Sequence, residues 1–217
     1  MDARILDGFT LFHHLEALRQ WELGAAFAPI LVEIHPLAPA PEKTPLPGPL
    51  LLQLIRDLGT LRVPNLLIAG PDDPLDHPET LAALHLATES GMRATLITRK
   101  HRLSSPAPFR VLPPADEPSP SEAVRTYDRC LGLPFIALVR GDGSVTACSD
   151  PQETTAGACG TLHQADFATL WAAGQTERER LSRERNPRTA CPTSCRHHGI
   201  NQALWRHIHP PEHTAFI

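Results

Sequence analysis

Cysteine is missing from everything N-terminal to Cys130, which excludes thiolate-held metal chemistry from more than half of the 217-residue chain. Long apolar runs are missing too: no segment approaches the ~20 apolar residues that span a bilayer. The N-terminus has no charged stretch followed by a continuous apolar run, so a soluble, cytoplasmic protein without a membrane partner is expected. The formal net charge of −4 leaves no basic excess to meet a phosphate backbone, and nucleic acid is not expected as a partner. Lysine is confined to Lys43 and Lys100. What the chain does hold is proline, dense from Pro106 to Pro120, and five cysteines: Cys130, Cys148, Cys159, Cys191 and Cys195. In a cytosolic chain of this length such cysteines point to a metal or cluster site more readily than to a disulfide framework.

Periodicity and turn residues divide the N-terminal part into alternating helices and strands. An amphipathic helix is expected from Thr10 to Leu23, ended by Gly24, and a strand from Pro29 to His35. Within that strand Glu33 and His35 alternate with Val32 and Ile34, which places the polar pair toward a barrel interior. A helix over Leu50 to Leu58 closed by Gly59, a strand over Pro64 to Ala69, a helix over Pro78 to Ser90 closed by Gly91 and a strand over Arg93 to Thr98 follow. Alternation of this kind implies a parallel sheet. The prolines from Pro106 to Pro120 forbid a helix or central strand, although Phe109 to Leu112 suits a short strand and Ser119 to Tyr127 a short helix. The fold class is therefore α/β, a truncated partial (βα) barrel over residues 1–128 whose sheet edge and concave face lie open.

Residues 129–217 read as a separate small module of a β-hairpin plus helices. Leu133 to Arg140 and Ser144 to Cys148 flank Gly141-Asp142-Gly143, a hairpin signal. Folding at Asp142 brings Cys130 and Cys148 to the same open end. A helix centred on Phe167, Leu170 and Trp171 precedes the pair Cys191 and Cys195. Cys130, Cys148, Cys191 and Cys195 form the candidate ligand set, with Cys159 as the alternative to Cys130. A [4Fe-4S] cluster and a zinc ion are both chemically satisfied by four thiolates, and the plain alternative is five reduced cysteines packed as small apolar residues. His197, His198, His207, His209 and His213 are further candidates for a ligand or an acid–base group, but Ile200, Leu204 and Ile208 repeat at helical spacing and favour structural roles there.

These pieces, in this order, resemble the radical S-adenosylmethionine (radical SAM) family. The resemblance covers most of the chain. It implies that a CxxxCxxC loop should follow the first strand, where this chain reads Pro36-Leu37-Ala38-Pro39-Ala40-Pro41-Glu42-Lys43-Thr44-Pro45. Gly70-Pro71-Asp72-Asp73-Pro74-Leu75 falls where the family holds the SAM amino group. Pro71 and Asp72 replace glycines there, so SAM is not expected to bind in the usual way, and Asp73 alone keeps a vestigial carboxylate. The cysteine spacing, with Gly160-Thr161-Leu162 and the helix at Phe167, Leu170 and Trp171, resembles the twitch module, a shortened SPASM domain with one auxiliary [4Fe-4S] cluster, and the segment from Cys195 to Ile217 resembles the tail of radical SAM proteins of natural-product pathways. The resemblance implies a catalytically degenerate protein without independent SAM cleavage, a partner subunit of an intact radical SAM enzyme in a bacterial natural-product pathway. Two other readings stand beside it: a non-radical enzyme using Glu33, His35, Asp73 and His77 at the barrel mouth, and a freestanding cluster- or zinc-binding regulator.

Overall fold

The computed structural model describes residues 11–37, 45–100, 107–114, 125–148, 156–192 and 195–210. The cysteine-free loop over 38–44, most of the expected helix over 119–127 and the tail over 211–217 lie outside the described residues. The described elements in chain order are α1 (Leu15–Glu22), β1 (Leu31–Ile34), α2 (Gly48–Thr60), β2 (Asn65–Ile68), α3 (Thr80–Glu89), β3 (Arg93–Ile97) and β4 (Arg110–Leu112). They continue with β5 (Ile136–Val139), β6 (Ser144–Thr146), β7 (Ala158–Thr161), α4 (Phe167–Ala173), α5 (Gln175–Glu184), α6 (Pro187–Ala190) and α7 (His198–Ile208). The protein is a mixed α/β fold.

All seven strands form one sheet, ordered β4-β3-β2-β1-β5-β6-β7. The first four strands run parallel, as the strand–helix alternation requires. β5 also pairs in parallel with β1, Val32 opposite Ala137 and Ile34 opposite Val139, and β6 and β7 follow antiparallel. The outer edge of β1 is thus filled by the chain's own hairpin, and strands from either side of residue 128 share one sheet. Among the described residues the sheet ends at β4 and β7.

The sheet's two faces follow from strand alternation. Val32, Ile34, Leu66, Ile68, Leu96 and Val139 face one way and pack with Leu51, Leu54, Ile55 and Leu58 of α2, Leu84 of α3 and Phe167 of α4. The spacing of the four α2 residues gives one apolar stripe, which is why the segment is helical and how it seats. Leu31, Leu67, Ala69, Ile97 and Ile136 face the other way. There they meet Leu11, Phe135 and the stripe residues Ile200 and Leu204 of α7, flanked by Leu18 and Trp21 of α1. Each fully buried Leu or Ile contributes roughly 1.5–3 kcal/mol. The face expected to lie open is therefore covered by α1 and α7.

Two local expectations change. Gly59 does not end α2, which runs on to Thr60, and the left-handed residue after it is Arg62 at φ +56°. Gly59 instead permits close approach, since a Cβ there would stand 2.9 Å from Ser90 Cβ beside α3. The expected first helix is interrupted: Leu11 and Phe12 are helical, the chain breaks at His13 and His14, and α1 begins at Leu15.

Candidate metal centre

The C-terminal ends of the parallel strands carry two polar groupings. In the loop after β2, Asp73 caps a short 3-10 turn over Pro74–Asp76 by accepting from Leu75 N at 3.0 Å. Its carboxylate also accepts from Thr98 Oγ1 at 2.8 and 2.9 Å and from Arg99 N at 2.9 Å. Burial pushes its pKa up, but the donors at Leu75, Thr98 and Arg99 outweigh it and hold the carboxyl below the usual range. Asp73 is a clasp between the β2 loop and the end of β3. Asp73→Ala is expected to lower stability by about 1–3 kcal/mol, since three donors lose their acceptor. Because the folded carboxyl titrates below its unfolded value, its contribution is complete above the ordinary carboxylate range. It is lost as pH falls through the lowered value. Thermal melts across acid pH should show this step in the native protein and not in Asp73→Asn. His77 is likewise engaged, its Nε2 at 2.6 Å from the Leu46 carbonyl and its Nδ1 accepting from Glu79 N.

The second grouping lies on the inner face. Glu33 is buried, its Oε1 2.5 Å from His35 Nε2, and its Oε2 pairs with Arg196. His35 stands beside Gly70 of the β2 loop. Arg196 directly follows Cys195, so this pair ties the cysteine region to the centre of the sheet.

Four of the thiols lie near one another, and none of the five forms a disulfide. Cys130 and Cys148 are buried, and Cys191 and Cys195 are partly exposed. Cys130 feels the charge of Cys148 and Cys191, and Cys195 feels that of Cys130 and Cys191. Burial pushes the Cys130 thiol up to about 12. Cys191 is lowered to about 6 because the Cys195 thiol hydrogen-bonds to it, aided by Arg185, whose Nε lies 3.3 Å from the sulfur. Cys195, the donor of that pair, is raised. Other N–H groups also face sulfur: Asn201 Nδ2 is 3.6 Å from Cys130 Sγ, and the His197 backbone N–H faces Cys195. Cys159 sits elsewhere. It lies in β7, near the Gly157 carbonyl and Arg178 Nη1, both at 3.5 Å, and its charge neighbours are Arg178 and Glu177.

Arginines that the sequence does not single out brace the Cys191 segment. Arg125 donates to the carbonyls of Pro187, Cys191 and Pro192, Arg185 to that of Ala190, and Arg188 to those of Thr126 and Tyr127. Arg185, at the charged end of a helix, reads as solvated, and Arg125 and Arg188 carry no local signal either. Asn201 reads in sequence as a residue that caps or bonds nearby backbone. It is buried, and its Oδ1 accepts from Gly132 N at 2.8 Å.

Cys130, Cys148, Cys191 and Cys195 lie within electrostatic reach of one another, and N–H groups face three of them, but burial and the Cys191–Cys195 hydrogen bond leave only Cys191 of those three lowered. Among the described residues, no group of three or more His, Cys, Asp or Glu side chains is arranged to hold a metal ion. No described helix is long and apolar enough to cross a membrane.

No family profile and no curated protein matches the chain. Two solved structures do. BtrN in an open conformation is 14% identical, with a TM-score of 0.53 over 77% of this chain and 92% of that one. BtrN in complex with AdoMet and 2-DOIA is 12% identical, with the same TM-score over 72% of this chain and 88% of that one. At such identity the likeness speaks for the fold alone: the chain shares the α/β fold of BtrN over most of its length.

Proposed function

We propose that the chain is a catalytically degenerate radical SAM-like protein, a partial barrel with a twitch-like module. It acts as partner subunit of an intact radical SAM enzyme in a bacterial natural-product pathway and keeps one auxiliary centre on its C-terminal thiols. The observation that carries this reading is the lack of any cysteine between β1 and α2, on a fold whose SAM-cleaving chemistry needs three there. Asp73 adds to it, because the carboxylate that would meet a SAM amino group is already occupied by Leu75, Thr98 and Arg99. Cys130, Cys148, Cys191 and Cys195 would hold a [4Fe-4S] cluster, with zinc as the alternative. The partner would not cover the inner face or the β1 edge, which are filled from within. It would instead cover Leu15 of α1 with Phe12 and Leu23, which flank it, all three exposed.

Anaerobic incubation with SAM and dithionite is expected to give no 5′-deoxyadenosine above background, and enzyme-dependent formation would remove the premise. Affinity capture should recover a radical SAM protein as the partner. A stable monomer, with the candidate enzyme fully active without it, counts against the role.

One observation favours a second reading. The hydrogen-bonded Glu33 and His35 pair stands at the strand ends where α/β sheets bind ligands. Turnover by the isolated protein, lost in His35→Ala, would support non-radical chemistry. Of the four residues expected to serve it, Asp73 and His77 are committed to neighbouring backbone.

A further inference from the structure

We infer that the cavity between residues 24–27 and α5 binds a small organic carboxylate through the guanidinium of Arg178. It lies where the chain enters β1 and β5, away from the strand ends that carry His35 and Asp73, and it is independent of the thiol centre.

Arg178 is 6% exposed, in a helix whose other charged side chains face solvent. Taking a guanidinium out of water is costly unless a counter-charge meets it, and burial pulls its pKa below the usual arginine value. Among the described residues no carboxylate stands within ion-pair distance of it. Nη1 is committed: it donates to the Trp171 carbonyl at 2.7 Å and faces Cys159 Sγ at 3.5 Å. One face of the group lies over the Trp171 ring at 3.9 Å. Nε and Nη2 have no hydrogen-bond partner among the described residues, and neither is sealed inside protein. Arg178 lines a cavity of about 240 Å³, and the free edge opens there.

The shape of that edge selects the ligand. Nε–H and one N–H of Nη2 lie parallel in the guanidinium plane, at the spacing of the two oxygens of a carboxylate. Beyond them the cavity is walled by Trp21, Phe27, Leu131 and Pro134, which suit an apolar body. Phe27 is held in place by the same indole that carries the guanidinium, since Trp171 Nε1 donates to its carbonyl at 2.9 Å. Charge agrees with this choice. Among the described residues the one carboxylate lining the cavity is Glu179, which is exposed and takes the Gln175 amide at 3.0 Å. Arg183 offsets it one turn further on, so the charge of Arg178 is left over. The volume falls below that of most drug-sized pockets, so the ligand is small.

The test is calorimetric titration of the full chain with acetate, benzoate and 3-phenylpropionate, with benzamide as the neutral isostere of benzoate and inorganic phosphate as the competing anion. One site per chain is expected for benzoate or 3-phenylpropionate, with a dissociation constant of about 1 mM or tighter. Acetate, lacking the apolar body, should bind more weakly, and benzamide at least about tenfold more weakly than benzoate, because it forfeits the charge-assisted pair. Arg178→Lys keeps the charge but loses the fork, and should weaken benzoate at least about tenfold. Ser182→Trp leaves Arg178 in place and fills the cavity from α5, and should abolish binding. The contrast between benzoate and benzamide is read on the unsubstituted chain, so it stands where a variant fails to fold. Absence of saturable binding by every carboxylate overturns the inference, as does benzamide or phosphate binding as tightly as benzoate. Benzoate binding undiminished in either folded variant places the site elsewhere and overturns it too.

Discussion

Anaerobic reconstitution with iron and sulfide should load the native chain with a thiol-held centre, about four irons for a [4Fe-4S] cluster, and Cys130→Ser or Cys195→Ser should empty it. Cys159→Ser should leave metal content unchanged. The difference is one of place. Cys130 shares its electrostatic surroundings with Cys148, Cys191 and Cys195, whereas Cys159 packs in β7 with Arg178, whose guanidinium lies over the Trp171 ring at 3.9 Å. A Cβ on Gly174 would stand 2.4 Å from Cys159 Sγ, so that thiol fills space against the start of α5. Cys159→Ser should therefore appear in a thermal melt and not in an iron assay. Equal loss of iron from Cys159→Ser and Cys130→Ser would mean that the cysteines are assigned wrongly, and stoichiometric zinc in protein kept from oxygen would favour the zinc alternative.

The same contrast shows what the sequence disclosed. The alternation from β1 to β4 was legible because apolar spacing and punctuation agree: Gly24 and Gly91 take positive φ just past α1 and α3. The position of β5 was not, since a glycine-containing turn shows that Ile136–Val139 pairs with the next strand and is silent on its other neighbour. One signal was present. Leu133 to Val139 is continuously apolar rather than alternating, as expected of a strand covered on both faces, and β5 is buried throughout. β7 escaped notice because Ala158-Cys159-Gly160-Thr161 includes a glycine and small residues that promote strands poorly. α5 escaped because it is charged almost all round, burying only Arg178 and Leu181. At the site, cysteine spacing showed which thiols could meet. It could not show Arg125, Arg185 and Arg188, whose partners are backbone carbonyls that no spacing rule addresses, nor the burial of His197, which depends on α7 lying across the sheet.

That crossing is where the largest loss of stability is expected. Arg196→Ala should cost about 3 kcal/mol, the lower end of the range for breaking a buried ion pair, because Glu33 would remain in the core with only His35 beside it. The pair joins distant parts of the chain: Glu33 sits at 2% exposure in the central strand, and Arg196 stands just before α7, whose Ile200 and Leu204 cover the inner face. Against a domain stability of roughly 5–15 kcal/mol, that is a large fraction. Urea unfolding should show a lower midpoint at an unchanged slope. The paired variant Glu33→Leu with Arg196→Met should recover most of the loss, since apolar residues of similar volume replace a buried pair at little cost. Recovery would show that the single variant suffers from an uncompensated carboxylate rather than from lost packing. A loss within the ~1 kcal/mol of an exposed pair would instead mean that water reaches Glu33. In that case the inner face would be open at the strand ends, and the Glu33 and His35 pair would be accessible to a ligand after all.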